Sequence, residues 1–220
     1  MVRPGKVTWH EKVVDAAGLR CADRLASVAG DFYLAGGTGL ALRLGHRISL
    51  DLDLFSDRNP LGTADRRALI EALEASGPVD IRESSDGALH LILAGTRVSF
   101  LRYRYPLAAK PASWRGVAVA APEDVAAMKV SAIMGRGSKK DFIDLHAAAR
   151  LTSLERLLQG AVKKYSDHPD FLLQAARALV YFDDADKEPS PRLLSGVNWD
   201  EVKAYFERQV PALVRSLLRA

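Results

Sequence analysis

Apolar and polar positions alternate most cleanly over residues 48–55, ISLDLDLF. Leu50, Leu52 and Leu54 fall on one side and Ser49, Asp51 and Asp53 on the other, which is the period of a strand. Upstream, Val13, Val14, Ala17, Leu25 and Val28 recur roughly in helical period and predict a helix over about 9–29. DFYLA predicts a short strand that stops at Gly36 and Gly37, and TGLALRL a short helix closed by Gly45. TADRRALIEALEASG predicts a surface helix with Thr63 as a candidate N-cap and a glycine stop. VDIRES, ALHLILA and RVSFLRY read as three strands joined by the turns SDG and AGT, an antiparallel meander. GVAVA is a last short strand.

The pattern changes after Pro122. Helical period predicts helices at about 122–134, 139–150, 152–165, 169–182 and 199–218, with one long loop, DDADKEPSPRLLSGVN. The expected organisation is a mixed α/β part over residues 1–121 and a helical part over 122–220, with the possibility that both pack as one unit.

Composition narrows this only a little. With 48% hydrophobic and 26% charged residues in 220, the chain is an ordinary globular protein. A net charge of +4 mildly favours an anionic partner such as a nucleotide or nucleic acid. Cys21 is the sole cysteine, so no internal disulfide forms and nothing points to secretion. No apolar run reaches the roughly 20 residues of a membrane helix, and MVRPGKVTWHEK has no apolar signal segment. The expected location is the cytoplasm, with no membrane partner.

Two acids one residue apart on one strand face have Cα atoms about 6.5–7 Å apart. Their carboxylates can converge on a divalent cation, or they can simply be the wet face of a half-buried strand. The preceding AGGTG lies between a strand and a short helix. Backbone N–H groups at a helix start bind anions, and glycine admits a phosphate closely; a tight strand–helix turn also uses glycine. No P-loop is present, and Gly37 and Gly39 fit only the start of a dinucleotide fingerprint. The order strand, Gly-Gly-Thr, helix, D-x-D strand sets a phosphate cradle beside a metal-binding pair.

LAGGTGLALRLGHRISLDLDLF closely resembles the signature of the AbiEii-type toxins, members of the DNA polymerase β-like nucleotidyltransferase superfamily. PEDVAAMKVSAIMGRGSKKDFIDLHAAA resembles that family's lysine helix and K-D-x-x-D-L segment, and YFDDADKEP and NWDEVKAYFERQV are similar to many members. The resemblance implies a nucleotidyltransferase-like mixed sheet with flanking helices and a C-terminal helical part. It implies Mg²⁺ or Mn²⁺ held by Asp51 and Asp53, with Lys129 as a further catalytic group. Gly36, Gly37, Thr38, Arg47, Ser49, Lys140, Asp141 and Asp144 are the implied nucleotide-binding residues. The implied substrate is a nucleoside triphosphate, the acceptor an RNA, a protein or a nucleotide, and the partner an antitoxin protein encoded nearby. One departure stands out: the superfamily usually takes a third carboxylate from a neighbouring strand, and Ser99 occupies the natural position, with Glu83 or Asp80 as substitutes.

Other residues keep two readings. Lys129 lies at the edge of the Val125, Met128, Ala132 stripe, where it either reaches a triphosphate or snorkels. Lys140 and Asp144 are spaced for an i,i+4 pair. Arg136 and Lys139 are further candidates for phosphate or nucleic acid. His46 reads as structural. Tyr103 and Tyr105, alternating with Arg102 and Arg104, either grip single-stranded nucleic acid or form an edge strand. Against the enzyme stands a catalytically weak nucleotide-binding or interaction module on the same fold.

Overall fold

The computed structural model describes residues 7–217. The first six residues of the N-terminal segment and the last residue of the helix expected over 199–218 lie outside the described residues. The chain divides into two compact units, residues 1–121 and 122–220.

In the first unit the hydrophobic periods become a seven-stranded mixed sheet. Its strands are β1 (Tyr33–Leu34), β2 (Leu52–Ser56), β3 (Val79–Ser85), β4 (Ala88–Leu93), β5 (Thr96–Arg102), β6 (Ala112–Trp114) and β7 (Val117–Val119), in the spatial order β3-β4-β5-β2-β1-β7-β6. The β3–β4–β5 meander is antiparallel, as the turns predict. Parallel pairing of β2 with β5 joins it to the rest of the sheet. Strand β6, which the sequence pattern does not suggest, pairs antiparallel with β7 at the far edge.

One face of this sheet is the core. Leu52, Leu54, Leu89, Leu91, Val98 and Phe100 are buried there with residues of α1 (Ala16–Leu25) and α3 (Thr63–Glu74). Helix α1 is shorter than its period predicts. A single 3₁₀ turn, Glu11–Val13, comes first, and then Asp15 accepts a hydrogen bond from the Gly18 N–H at 2.8 Å and starts a new helix. At α3, Gly62 is the N-cap and Thr63 the first helical residue, with Asp65 accepting the Gly62 N–H at 2.9 Å.

The strand expected over 48–55 pairs only from Leu52 onward. Asp53 is therefore a strand residue, whereas Ser49 and Asp51 lie in the approach to it. The short helix α2 spans Gly36–Leu44, starting earlier than the pattern suggests and ending at Gly45 with φ 67°. The glycines thus form its first turn rather than a turn before it.

The second unit is helical: α4 (Pro122–Arg136), α5 (Lys139–Ala149), α6 (Leu154–Lys164), α7 (Phe171–Ala178), α8 (Asp183–Lys187) and α9 (Trp199–Leu217). Helix α8 occupies the start of the expected long loop, since Asp183, Asp184 and Asp186 suit its first turn. The ring of Phe142 on α5 lies 5.1 Å from Phe182, 5.9 Å from Trp199 and 5.6 Å from Phe206, and it fastens α5 to α9. No described helix is long and apolar enough to cross a membrane.

Phe142 is fully buried among these rings. Phe142→Ala is expected to lower unfolding free energy by about 3–5 kcal/mol in denaturant titration. A loss below about 1 kcal/mol would mean the aromatic cluster does not hold the unit together.

Candidate active site

Helix α2 begins without a side-chain cap, because its N-cap is Ala35. Its first N–H groups are those of Gly36, Gly37 and Thr38, and together they make a site of positive potential. Gly36 has φ +60°, and a Cβ added there would lie 2.9 Å from Asp53 Oδ2. A Cβ on Gly37 would lie 2.3 Å from Arg47 Nη2 and 3.1 Å from Ser49 Oγ. Gly36 is favoured by its left-handed backbone as well as by the nearby carboxylate, and a side chain at Gly37 would displace the Arg47 guanidinium.

The loop between α2 and β2 is tied to the same helix. Buried Thr38 donates through Oγ1 to the backbone oxygen of Asp51 and lies 2.8 Å from Ser49 Oγ. Arg47 is buried, and its Nη1 donates to the Ile48 carbonyl at 3.0 Å. The Ala35 N–H donates to the Asp53 carbonyl at 3.0 Å, which locks the start of α2 to β2. Within the first unit the structure thus brings together Gly36, Gly37, Thr38, Arg47, Ser49, Asp51 and Asp53. Asp51 is exposed and Asp53 half-buried, so both carboxylates can be reached.

The parallel β2–β5 register sets Ser99 directly beside Asp53. The position at which an acid was expected is therefore a hydroxyl. The proposed substitutes do not adjoin it. Glu83 and Asp80 lie on β3, separated from β2 by β4 and β5, and Asp80 pairs with Arg82 at 2.6 Å. Among the described residues no group of three His, Cys, Asp or Glu is arranged for a metal ion. Two hard carboxylates still suit Mg²⁺, which usually takes one or two from protein and the rest from phosphate and water. The Gly36 hollow, which a Cβ would fill, leaves Asp53 Oδ2 facing the helix start where phosphate would lie.

Sequence reasoning did not single out His90. Its Nδ1 is 3.1 Å from Ser99 Oγ, across the β4–β5 ladder. The signal was available: the short turn at Ala94 and Gly95 fixes the register that sets residue 90 against 99. Tyr103 follows β5, with its ring 5.7 Å from Phe55 and 5.6 Å from Tyr105, and Arg104 lies over Tyr105 at 4.7 Å. His46 is buried.

In the second unit the charged segment forms a buried ion network. Lys129 Nζ lies 2.7 Å from Asp141 Oδ1 and 2.6 Å from Asp144 Oδ2, with both aspartates fully buried. Arg136 Nε donates to Asp141 Oδ2 at 2.8 Å. Lys129 therefore joins α4 to α5 and is not a snorkelling edge lysine, and Asp144 meets Lys129 although its spacing suggested Lys140. Lys140 itself is exposed. Lys139 is buried, and its backbone N–H and the Ser138 hydroxyl both donate to Glu188 Oε2, at 2.9 and 2.8 Å. Burial alone would push Lys129 down, but Asp144 and Asp141 hold it above the usual lysine range. Burial would likewise raise Asp141, but Lys129 and Arg136 hold it below the usual aspartate range.

Solved structures share this mixed-sheet fold. JHP933 from Helicobacter pylori superposes with a TM-score of 0.52 at 17% identity, over 96% of this chain and 92% of its own. The antibiotic-resistance factor ANT(2'')-Ia gives a TM-score of 0.52 at 15% identity, over 69% of this chain and 91% of its own. An uncharacterised protein of Aquifex aeolicus (strain VF5) is 38% identical over 190 residues, 83% of this chain and 88% of its own. The family model described as nucleotidyl transferase AbiEii toxin, type IV toxin–antitoxin system, matches residues 20–116 and 109–219. The chain belongs to the AbiEii nucleotidyl transferase toxin family.

The ion network makes stability depend on pH at both ends. Asp141, lowered in the fold, stabilises above its unfolded pKa of about 3.9, and this is lost as pH falls through the folded value. Lys129, raised in the fold, stabilises below its unfolded pKa of about 10.4, and this is lost as pH rises through the folded value. Lys129→Ala, which takes the shared cation from two buried carboxylates, is expected to cost about 3–5 kcal/mol at neutral pH. Asp141→Asn is expected to flatten the acid limb of a melting-temperature profile. An unchanged acid limb in that variant would show that the network does not control acid stability.

Proposed function

We propose that this chain transfers a nucleotide from a nucleoside triphosphate to an acceptor hydroxyl with the help of Mg²⁺ or Mn²⁺. In this reading it acts in the cytoplasm as the toxin of a toxin–antitoxin pair, neutralised by a separate protein encoded nearby. The observation that carries the proposal is Asp53 Oδ2 facing the uncapped, glycine-built start of α2. That arrangement offers backbone donors to phosphate and carboxylates to a cation in one place.

Asp51 and Asp53 would hold the cation, which supplies Lewis-acid stabilisation of charge developing on the α-phosphate. The N–H groups of Gly36, Gly37 and Thr38 bind the phosphates, and Arg47, with Ser49 beside it, keeps positive charge near them. The acceptor oxygen forms its bond to the α-phosphorus as the bond to the β-phosphate bridging oxygen breaks, and pyrophosphate leaves. In the second unit Lys129, Asp141 and Asp144 fix α4 against α5, and Lys140 is exposed. The acceptor is an RNA, a protein or a nucleotide, and labelling identifies which: each α-labelled triphosphate is incubated with total cell RNA and protein, and the labelled species is isolated. A second reading, a nucleotide-binding module without turnover, draws on Ser99 beside Asp53. It predicts nucleotide binding with no labelled product.

Binding to the folded state alone raises stability. Mg²⁺ with a triphosphate at a hundred times its dissociation constant is expected to add about 2.7 kcal/mol. That corresponds to a rise in melting temperature of roughly 5–11 °C for a chain of this size. Asp51→Asn and Asp53→Asn should each abolish the rise and the transfer while leaving the ligand-free melt nearly unchanged. No rise in the parent, with lower ligand-free melting in the variants, would make the two acids a feature of the fold instead.

A further inference from the structure

Nucleotidyl transfer leaves one chemical requirement that the two acids do not meet. The acceptor hydroxyl must lose a proton as its oxygen bonds to phosphorus, and a positioned base at that point is worth about 10²–10⁴ in rate. Asp51 and Asp53, once bound to a cation, are weaker bases than free carboxylates, because the cation's charge opposes a proton. A further group on the same face would supply a stronger base.

The sheet register shows what adjoins Asp53. Asp53 on β2 pairs with Ser99 on β5, Ser99 pairs with His90 on β4, and His90 pairs with Glu83 on β3. Register partners project from the same face of a sheet. That face is opposite the one buried by Leu52, Leu54, Leu89, Leu91, Val98 and Phe100. The four residues form one row, with adjacent strands about 4.8 Å apart. Ser99 and His90 are half-buried and therefore reachable, and His90 Nδ1 lies 3.1 Å from Ser99 Oγ. The row's charged end, Glu83, is exposed, as is Arg97 on the same face of β5.

We infer that Ser99 and His90 form the proton-accepting pair of the transfer site, with Ser99 facing the acceptor hydroxyl and His90 acting through it. The inference rests on the proposed transferase reading. With His90 protonated at Nε2, Ser99 donates its hydrogen to Nδ1 and presents an oxygen lone pair beside Asp53. As the acceptor oxygen attacks, its proton passes to Ser99 Oγ and the proton of Ser99 passes to His90 Nδ1. The acceptor lone pair becomes the new bond to the α-phosphorus. The electrons of the broken bond leave with pyrophosphate. The imidazolium then returns its proton to water. His90 is a positioning residue in this scheme, since it touches the reacting atoms only through Ser99.

The test uses the full chain, Mg²⁺ and α-labelled triphosphates with total cell RNA and protein as acceptors. Asp53→Asn is the control for the transferase reading. Label transferred by the parent and lost in Asp53→Asn upholds that reading whatever the histidine does; no label with the parent removes both proposals. Given transfer, His90→Gln and Ser99→Ala are each expected to lower turnover at saturating triphosphate by about 100-fold, at the lower end for a lost base. Half-saturation for the triphosphate and the melting temperature should stay at parental values. Ser99→Asp places a carboxylate where the hydroxyl was, so in that background His90→Gln should change turnover by no more than about twofold, the base now being independent of His90. Turnover within about threefold of the parent in both His90→Gln and Ser99→Ala, far short of a lost base, would overturn the inference. A His90→Gln loss that persists undiminished in the Ser99→Asp background would overturn it as well.

Discussion

Two carboxylates one residue apart repel each other, and nothing in a plain strand compensates for that. Here the compensation is geometric. Helix α2 starts without a side-chain cap beside Asp53, and Gly36 lacks the Cβ that would lie 2.9 Å from the Asp53 carboxylate. The remainder of the first unit supports that approach. Leu52 and Leu54 anchor β2 in the core, the Ala35 N–H ties the helix start to β2, and Thr38 holds the loop that carries Ser49 and Asp51. A methyl group at Gly36 would strike the carboxylate oxygen and would also strain a left-handed backbone.

The second unit deals with buried charge differently. Asp141 and Asp144 are fully enclosed and are tolerable only because Lys129 and Arg136 meet them in good geometry. Such a network adds little stability over an apolar core, but removing one partner is costly. This is why the lysine of the segment PEDVAAMKVSAI cannot be judged by removal alone: its loss damages packing before it reports on any ligand.

Much of this was legible in the chain. The alternation LDLF placed Asp53 opposite Leu52 and Leu54, although Leu50 is exposed and outside the strand; the turns gave the meander, and the change of period at Pro122 marked where the helices begin. The family resemblance, carried by the glycine and D-x-D segment, agrees with the family match over most of the chain. What was not legible is long-range. The parallel pairing of β2 with β5 links segments more than 40 residues apart; the family resemblance alone pointed to Ser99 as the neighbour of the acids, and nothing in the sequence showed that Glu83 and Asp80 lie on a distant strand. The partner of Lys129 was also hidden. Helical spacing lets Lys140 reach Asp144, whereas tertiary packing turns Asp144 inward to Lys129. Strand ends were overestimated because Ser49 and Asp51 hold strand-like alternation in a segment whose bonds go to α2 rather than to a ladder.

The central claim is that a divalent cation and a nucleotide bind where Asp51 and Asp53 meet the start of α2. Paramagnetic Mn²⁺ tests it directly. Added at low stoichiometry with a non-hydrolysable ATP analogue to isotope-labelled protein, it should broaden the amide signals of Gly36, Gly37, Thr38, Asp51 and Asp53 first, with Ser99 close behind. Asp53→Asn should remove that pattern. Broadening centred instead on Asp183, Asp186 and Asp200 of the helical unit, or left in place by Asp53→Asn, would contradict the account.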